Sequence, residues 1–361
     1  MALWLTFETP ARLEIEIIRA HLVCIGHGPR RTARKFVTKR AAVIGAGLAG
    51  LSCARSLRRA GFFVEVFEQD RTIGGRMATT RLGMESFDHG AQYLTARSTE
   101  FKNYLEEVAG LGYASRWNPR AQINGEEGGG QMLPWYVGTP GMASLVRPLA
   151  ESVRIHTGRK VHTLDRKDKG WHVWFEDETS VGPFHAVAVT VPAPQARLLL
   201  GRVEEVSQPL SRVRMMPCWA LMVRLDEKIL PDQDVYSDMS EVIRWIARNN
   251  TKPNRSKGGE SIVIHASPSW SRDSEDAEPE MIAEELWGEV SHVLGLPPVR
   301  PVRMMAHLWQ YGLVDQSLGE TYVYSHEHKV GAAGDWCLGR LAEHAFESGN
   351  RLGRAIIESL N

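Results

Sequence analysis

The sequence predicts an α/β fold with two domains, one of which is assembled from separate parts of the chain. Three observations support this prediction. Residues 41–68 read as a strand, a glycine-rich turn, a helix and a second strand. Short β-rich runs separated by turn-forming residues occupy residues 153–196. Near residue 330 a short apolar strand is followed by a Gly-Asp pair and an amphipathic helix, and we expect these last elements to lie beside the first.

Length and composition limit the classes of function. A chain of 361 residues is long enough for two domains, each with its own core. Lys plus Arg and Asp plus Glu both total 43, so the formal charge is zero and nucleic acid is not an expected partner. The four cysteines are far apart, without a CxxC or a paired Cys/His spacing, so we expect no metal site.

No apolar run approaches the roughly 18 to 20 residues needed to cross a bilayer. We therefore expect a cytoplasmic protein without a membrane span. Residues 1–40 end in a basic stretch and leave three interpretations open: an ordinary extension, a start site placed too early, or a targeting peptide. Glu8, Glu14 and Glu16 count against targeting, because transit peptides are poor in acidic residues.

The clearest motif is Gly-Ala-Gly-Leu-Ala-Gly, which runs from Gly45 to Gly50 between the first strand and the helix. In a Rossmann-type βαβ unit, Gly45 permits the tight turn, Gly47 lets the backbone approach a pyrophosphate, and Gly50 allows the helix to pack close to the strand. Glu68, 18 residues beyond Gly50, follows the second strand and is placed to accept hydrogen bonds from ribose hydroxyls. This order of elements predicts dinucleotide binding.

Two further segments favour FAD over NAD. The βαβ unit is followed by "IGGRMATTR", and the chain closes with "GDWCLGRLAEHAFESGNRLG". FAD needs such additional contacts because its ribityl chain and ring extend past the pyrophosphate. Backbone at Gly74 and Gly75 would pass close to the cofactor, Arg76 would lie beside the pyrophosphate, and Asp335 would accept from a hydroxyl. The start of the last helix, near Glu343, would present amide groups to the flavin.

These segments resemble the flavin amine-oxidase superfamily and, more closely, its renalase-like branch. The resemblance spans residues 41–361. The segments "GAGLAGLSCARSLRRAG", "GGRMATTR" and "GDWCLGRLAEHAFESGNRLG" are typical of many flavoproteins, whereas "DHGAQYLTAR", "VPAPQA", "ARNNTKP" and "HASPSWS" are narrower. Some members of this superfamily tether the flavin through a cysteine, but no motif here supports a tether, so we expect non-covalent FAD. The residues expected to hold it are Gly45, Gly47, Leu48, Ala49, Gly50, Glu68, Gln69, Gly75, Arg76, Met77, Gly90, Ala91, Gln92, Val161, Gly334, Asp335, Glu343 and Ala345.

The resemblance also implies the domain organisation of amine oxidases and p-hydroxybenzoate hydroxylase, a Rossmann-type FAD-binding domain with a second α+β substrate domain. Residues 41–97, 141–204 and 326–361 are assigned to the FAD-binding domain. Residues 98–140 and 205–325 are assigned to the substrate domain, which contains strand-like "WALMVRL" and "SIVIHAS", helical "PEMIAEELWGEVSHVL" and the polar loop "ARNNTKPNRSKGGE". Residues 1–40 fall outside the resemblance, and "GEEGGG" at 125–130 is expected to be a surface loop.

Renalase-like proteins are taken to oxidise isomeric dihydronicotinamide dinucleotides, reduced at the 2 or 6 position, to NAD(P)⁺, with oxygen reduced to hydrogen peroxide. Hydride loss from a dihydropyridine gives an aromatic pyridinium directly, so the site needs a flat slot more than a strong base. The residues expected to line this slot are Gln92, Tyr93, Trp245, His307, Trp309 and Tyr311. For each of them a place in the core beside the flavin is an alternative, and His89 and His307 are possible general bases or simply structural.

Anionic substrates need cations. The basic residues Arg244, Arg248, Lys252, Arg255 and Lys257 lie close together in sequence, and we expect Arg248 and Lys252 in particular to bind substrate phosphates. A solvated polar loop is the alternative. Two rival functions also stay open: an amine or polyamine oxidase, and a flavin-binding interaction protein with little turnover.

Overall fold

The computed structural model describes residues 38–123, 133–151, 153–256 and 258–361, all within the unit Thr38–Asn361. Residues 1–37, the loop expected at 125–130 and Lys257 lie outside the described residues. In chain order the strands are β1 (Arg40–Ile44), β2 (Phe63–Phe67), β3 (Thr79–Leu82), β4 (Glu85–Asp88), β5 (Ala114–Trp117), β6 (Ala121–Ile123), β7 (Trp135–Gly138), β8 (Arg154–His156), β9 (Val161–Lys167), β10 (Gly170–Phe175), β11 (Ser180–Phe184), β12 (Ala186–Val189), β13 (Arg214–Leu225), β14 (Val235–Ser237), β15 (Ile243–Arg248), β16 (Glu260–Ala266), β17 (Arg303–Gln316), β18 (Val323–Ser325) and β19 (Val330–Ala332).

The helices are mostly short. The α-helices are α1 (Leu48–Arg59), α2 (Thr99–Gly110), α3 (Arg147–Ala150), α4 (Ala193–Leu199), α5 (Glu204–Ser207), α6 (Pro268–Asp273), α7 (Pro279–Val293) and α8 (Ala342–Leu360). Single turns of 3-10 helix cover Gly75–Met77, Met142–Val146, Pro209–Arg212, Asn249–Thr251 and Asp335–Cys337. In the part of the chain that the structure describes, no helix combines the length and apolar character required to cross a bilayer.

A six-stranded sheet carries the predicted βαβ unit, in the order β18-β19-β12-β1-β2-β8. All neighbours pair in parallel except β18 with β19. Alternate residues of β1 face opposite sides of this sheet. Ala41 and Val43 pack in the core that includes α1 and α8, whereas Ala42 and Ile44 pack in the core that includes β10. Burial on both faces explains why the strand reads as a continuous apolar run.

Helix α8 packs directly on α1, which brings the end of the described chain to the βαβ unit. Small residues allow this approach. A Cβ added at Gly349 would lie 2.0 Å from the backbone oxygen of Ala49, and one at Gly353 would lie 2.9 Å from the Cβ of Ser56. No larger residue fits at either glycine without moving the helices apart. The contact fixes the start of α8 close to the turn at Gly47.

A second six-stranded sheet has the order β17-β13-β16-β15-β14-β6 and is antiparallel except for the pair β14 and β6. Helix α7 covers one face of it with Ile282, Leu286 and Val290. The long strands β13 and β17 are interrupted by register shifts near Cys218. Together with the parallel sheet, this arrangement confirms the predicted fold class, a Rossmann-type domain with a second α+β domain.

The segment expected to be a polar loop, residues 247–260, is largely buried. Arg248 and Asn249 are 8% and 0% exposed, and Lys252, Arg255 and Glu260 are also buried. The segment turns through a short 3-10 helix between β15 and β16. The alternative of a solvated loop is therefore wrong for the described residues of this segment, because Arg248, Lys252 and Arg255 are buried in ion pairs.

Candidate active site

A cavity of about 1210 Å³ runs along the carboxyl ends of β1, β2 and β12 and continues to the second sheet. Ligands of open α/β sheets bind at this edge of the strands. The volume exceeds the roughly 300–1,000 Å³ of common small-molecule pockets. The cavity therefore has room for a dinucleotide together with a second molecule.

Most of the residues predicted from sequence line this one cavity. Its walls include the following predicted cofactor positions: Gly45, Gly47, Leu48, Ala49, Glu68, Gln69, Gly75, Arg76, Met77, Gly90, Ala91, Gln92, Val161, Gly334, Asp335 and Ala345. The residues expected around the substrate lie there as well: Gln92, Tyr93, Trp245, His307, Trp309 and Tyr311. The predicted residues that do not line it are Gly50, Glu343, Arg248 and Lys252.

The turn before α1 is held by Glu68. Its Oε2 accepts a hydrogen bond from the Ala46 N–H at 2.7 Å, and its Oε1 accepts from the Asp70 N–H at 3.0 Å. Gly47 precedes the helix as its N-cap residue, and no side chain caps the helix. A Cβ added at Gly47 would meet no atom within 4 Å, so the backbone here borders open cavity. Uncapped amides at a helix N-terminus beside open space fit a pyrophosphate.

Gly50 and Glu343 have structural roles. A Cβ at Gly50 would lie 2.0 Å from the Gly45 carbonyl oxygen, so the glycine is needed for the helix to pack against the turn. The carboxylate of Glu343 accepts from the backbone N–H groups of Arg97 and Ser98 at 3.0 and 2.6 Å, just ahead of α2. The expectation that Glu343 contacts the cofactor is therefore wrong; Ala342 and other residues at the start of α8 face the cavity instead.

Arg76 and Asp335 pair with each other across the cavity wall. The guanidinium donates two hydrogen bonds to the carboxylate, at 2.8 and 2.6 Å, and a third to the Gly312 carbonyl at 3.2 Å. Burial lowers the pKa of Arg76, but the negative charge of Asp335 raises it further, so the net pKa lies above its usual value. Three of the five N–H donors of Arg76 are engaged in these bonds, and Arg76 lines the cavity, so it stays the expected partner of a pyrophosphate.

The expected phosphate-binding role of Arg248 and Lys252 is contradicted by their contacts. Arg248 donates from Nε to Glu260 at 2.7 Å, and both residues are buried. The Lys252 ammonium group is fully buried; Nζ donates to Asp88 at 3.1 Å and to the Oε1 of Gln92 at 3.2 Å. Both cations are therefore paired with acidic side chains of this chain, and neither lines the cavity where a phosphate would bind.

Asp88 is the centre of this buried charge cluster. Lys252 and Arg255 both donate to its Oδ2, Arg255 at 2.6 Å, and Thr79 donates to its Oδ1 at 2.7 Å. Burial raises the pKa of Asp88, but the two cations outweigh that effect, and the pKa lies below its usual range. Burial lowers the pKa of Lys252 to about 8, against the opposing effect of Asp88. The cluster lies directly behind Gln92, which faces the cavity.

The substrate end of the cavity has two aromatic walls. On one wall Tyr93 stacks on Trp135 with 3.8 Å between ring centroids, and the Trp245 ring lies 5.6 Å from Tyr93. On the other, Trp309 lies 4.6 Å from His307 and donates from Nε1 to the carbonyl of His89 at 3.0 Å. Both groups of rings line the same cavity, and the space beside them, here called the aromatic slot, suits a planar molecule.

The imidazoles of this region are held neutral. Burial lowers the pKa of His89 and of His265 to about 4 each, and burial also lowers the pKa of His307. The Nδ1 of His89 is buried without a hydrogen-bond partner among the described residues. His89 stacks on Trp309 but does not line the cavity, whereas His265 and His307 do. Of the two histidines considered as bases, only His307 faces the cavity.

Several cavity residues were missed by the sequence reasoning. Pro192 and Gln195 lie within the "VPAPQA" segment and His265 within "HASPSWS", so these narrower motifs already marked them. Arg159, Lys160 and His162 had no signal in the sequence, because long-range contacts bring them to the cavity; the Arg159 N–H, for example, donates to the Glu68 carbonyl at 2.7 Å. Arg244 lines the cavity, whereas Arg248, which the sequence favoured as a phosphate-binding residue, does not.

Two family models match this chain. Residues 43–108 match an NAD(P)-binding Rossmann-like domain, and residues 114–357 match the flavin-containing amine oxidoreductase family. The chain belongs to the flavin-containing amine oxidoreductase family. Membership makes it a flavin-dependent enzyme and implies FAD as its cofactor, which the open cavity at Gly47 and the uncapped start of α1 accommodate.

Two solved oxidase structures share the fold of this chain. Cyclohexylamine oxidase from Brevibacterium oxydans IH-35A superposes with a TM-score of 0.66 at 14% identity, covering 90% of this chain and 99% of that one. A double mutant of putrescine oxidase gives a TM-score of 0.68 at 14% identity, covering 89% and 100%. At such low identity the likeness concerns the fold and says nothing of the substrate.

Sequence relatives match over short stretches only. Protoporphyrinogen oxidase 2 of Arabidopsis thaliana is 36% identical over 70 residues, which is 19% of this chain and 14% of that protein. The chain spans between 12% and 26% of the lengths of the curated relatives it matches. The substrate must therefore be argued from the cavity.

Proposed function

We propose that this flavin oxidoreductase belongs to the renalase-like branch of its family. In this proposal it oxidises isomeric dihydronicotinamide dinucleotides, those reduced at the 2 or 6 position, to NAD(P)⁺, with oxygen as the final acceptor. The observation that carries the proposal is the aromatic slot, whose rings line one cavity in two groups, Tyr93 with Trp245 and His307 with Trp309. Such a slot holds a flat ring in position without offering it a strong base.

The proposed reaction needs little acid–base catalysis by side chains of this protein. FAD, when bound, supplies the acceptor for the hydride. Loss of a hydride from a dihydropyridine leaves an aromatic cation and no proton to remove, so His265 and His307, both held neutral by burial, need not titrate. Tyr93, Trp245 and Trp309 orient the ring and exclude water, which is where the catalytic advantage of a positioned reactant arises.

Non-covalent binding of FAD is part of the proposal. The cysteines near the cavity are Cys218, which lines it, and Cys337, which follows the Gly-Asp pair. Burial raises the pKa of each thiol to about 12. A thiol with so high a pKa supplies almost no thiolate at neutral pH, and the thiolate is the nucleophile that a covalent tether would need.

An amine oxidase is the second candidate, since the family and the two solved structures named above are associated with amines. One cavity residue argues against it. Arg244 places a positive charge in the substrate end, which disfavours a substrate that arrives as an ammonium ion. The third possibility, a flavin-binding protein with little turnover, does not account for the two formed aromatic walls.

Anaerobic titration of the purified holoenzyme tests the proposal. Isomeric NADH should bleach the flavin absorbance band near roughly 450 nm, whereas cyclohexylamine, putrescine and ordinary NADH at equal concentration should leave it unchanged. Bleaching by the amines alone would assign the chain to the amine oxidases. A spectrum unchanged by every compound would favour the low-turnover flavoprotein.

A further inference from the structure

Arg244 and Trp245 are neighbours in β15, yet both line the cavity. In a regular strand, adjacent side chains point to opposite faces of the sheet. The pairing of β15 with β16 is irregular at this point: Ile243 pairs with Ala266 and Trp245 with His265, so Arg244 is an extra residue on one strand. Such β-bulges redirect side chains, and here the bulge turns an arginine toward the aromatic slot.

Among the described residues, the guanidinium of Arg244 has no acidic partner. Within the described ranges, no carboxylate oxygen lies within 4.0 Å of it, in contrast to the paired Arg76 and Arg248 at the same cavity or behind it. The nearby Asp238 is exposed, and its contact with Arg244 is between backbone groups: the Asp238 N–H donates to the Arg244 carbonyl at 2.7 Å. Arg244 is half-buried, so water covers it only in part.

Neighbouring side chains show where this charge acts. Burial raises the pKa of Cys218, and the positive charge of Arg244 opposes that rise. Burial lowers the pKa of His265, and Arg244 adds to that fall. Both neighbours line the cavity. The charge of Arg244 is therefore felt inside the substrate end, beside the slot.

We propose that Arg244 binds an oxyanion of the substrate, so that the molecules oxidised in this cavity carry a phosphate or a carboxylate. A partly desolvated guanidinium is stabilised by an anionic partner, and its planar fork matches the two oxygens of either group. The inference rests on the proposed function for the identity of that oxyanion, which would be a phosphate of the dinucleotide. It replaces Arg248 and Lys252 as the anion-binding residues.

Ligand binding to the holoenzyme, followed by the change in flavin absorbance, tests the inference without turnover. Two matched pairs of probes differ by one anionic group: nicotinamide mononucleotide against nicotinamide riboside, and benzoate against benzamide. Wild-type protein should bind at least one anionic member roughly ten-fold or more tightly than its neutral partner, as expected for a charge-assisted hydrogen bond. Arg244→Gln should reduce this ratio to near one, and Arg244→Lys should retain part of it.

Arg303→Gln is the matched control, because Arg303 is an exposed arginine of the same sheet that does not line the cavity. Its ratios should equal those of the wild type. A normal flavin spectrum in Arg244→Gln shows that the variant is folded, and Arg244→Lys gives the same comparison should the glutamine variant lose FAD. An anionic preference for the mononucleotide identifies phosphate, and one for benzoate identifies carboxylate.

The inference and the proposed function fail separately. If the ratios are the same in wild type and both Arg244 variants, or if wild type shows no anionic preference, Arg244 does not bind an oxyanion, even though isomeric NADH is oxidised. If the preference depends on Arg244 while no dihydronicotinamide bleaches the flavin, the oxyanion site stands and the proposed substrate is wrong.

Discussion

Arg76 and Asp335 form a bidentate ion pair, although their positions in the sequence differ by 259. Arg76 lies in the 3-10 turn that follows β2, and Asp335 begins the 3-10 turn that follows β19. Both side chains line the cavity. The pair therefore joins the two segments that favoured FAD in the sequence, and it fixes the arginine before any cofactor binds.

Asp335→Asn should weaken FAD binding, because the amide orients Arg76 less firmly than the bidentate carboxylate does and is a weaker acceptor for the cofactor hydroxyl expected at Asp335. We expect the dissociation constant of FAD to rise roughly ten-fold or more, in line with the loss of a charge-assisted hydrogen bond. Equilibrium binding of FAD to protein stripped of cofactor measures it. Asp315→Asn, in the exposed pair with Arg214, is the control and should bind FAD normally. Equal affinity in both variants would show that the pair does not support the cofactor.

Gly47→Val should abolish stoichiometric FAD binding. The added side chain would occupy the open cavity beside the uncapped start of α1, where we expect the pyrophosphate. Gly288→Val is a matched control: an added Cβ there also meets no atom within 4 Å, and this exposed glycine of α7 is far from the cavity lining. The ratio of flavin to protein absorbance after purification is the measurement. A yellow Gly47→Val protein would place the pyrophosphate elsewhere.

Asp88→Asn should destabilise the fold, since it leaves Lys252 and Arg255 buried without their counterion. Breaking a buried pair in this way costs roughly 3–5 kcal/mol of the free energy of unfolding. Urea unfolding of the holoprotein measures the loss. Adding Lys252→Met to Asp88→Asn should restore part of it, because one buried charge is removed. For Glu320→Gln, in the exposed pair with Arg212, we expect a change below about 1 kcal/mol.

Stability should fall as the pH drops from about 6.5 to about 4. The pKa values of His89 and His265 are lowered from 6.5 to about 4 in the folded chain, so the unfolded chain binds more protons within this window. The loss is roughly 3 kcal/mol for the buried His89 and less for the half-buried His265. Unfolding of the holoprotein at pH 7 and pH 4.5 tests this. In His265→Gln the pH dependence should be shallower; an unchanged slope would contradict the assignment.

The sequence predicted that the glycine turn and Glu68 lie together, because their relation is local. Gly45, Gly47 and Glu68 belong to one βαβ unit, and its geometry alone brings them to the same cavity. Gly50 was expected to let the helix pack close to the strand, and an added Cβ there would lie 2.0 Å from the carbonyl oxygen of Gly45, the residue that follows β1. Glu343 was misassigned because the start of a helix presents only some of its residues to a given side, and this carboxylate turns toward α2.

At the other end of the cavity, the sequence predicted the type of lining residue but not which arginine lies there. Aromatic residues of β15 and β17 were expected there and are found there. The choice among the arginines failed, because charge density along the chain does not reveal which cations have partners. Arg248 meets Glu260 only through the pairing of two strands, and Arg244 reaches the cavity only through a bulge. Neither partner nor bulge leaves a local trace in the sequence.

The packing of α8 on α1 has a consequence for synthesis on the ribosome. One wall of the cavity, from Gly45 to Ala49, emerges early, whereas the facing wall, from Gly334 to Ala345, emerges almost 300 residues later. A nascent chain therefore cannot close this cavity until α8 has been synthesised. We expect a chain truncated before α8 to lack bound FAD and to be colourless.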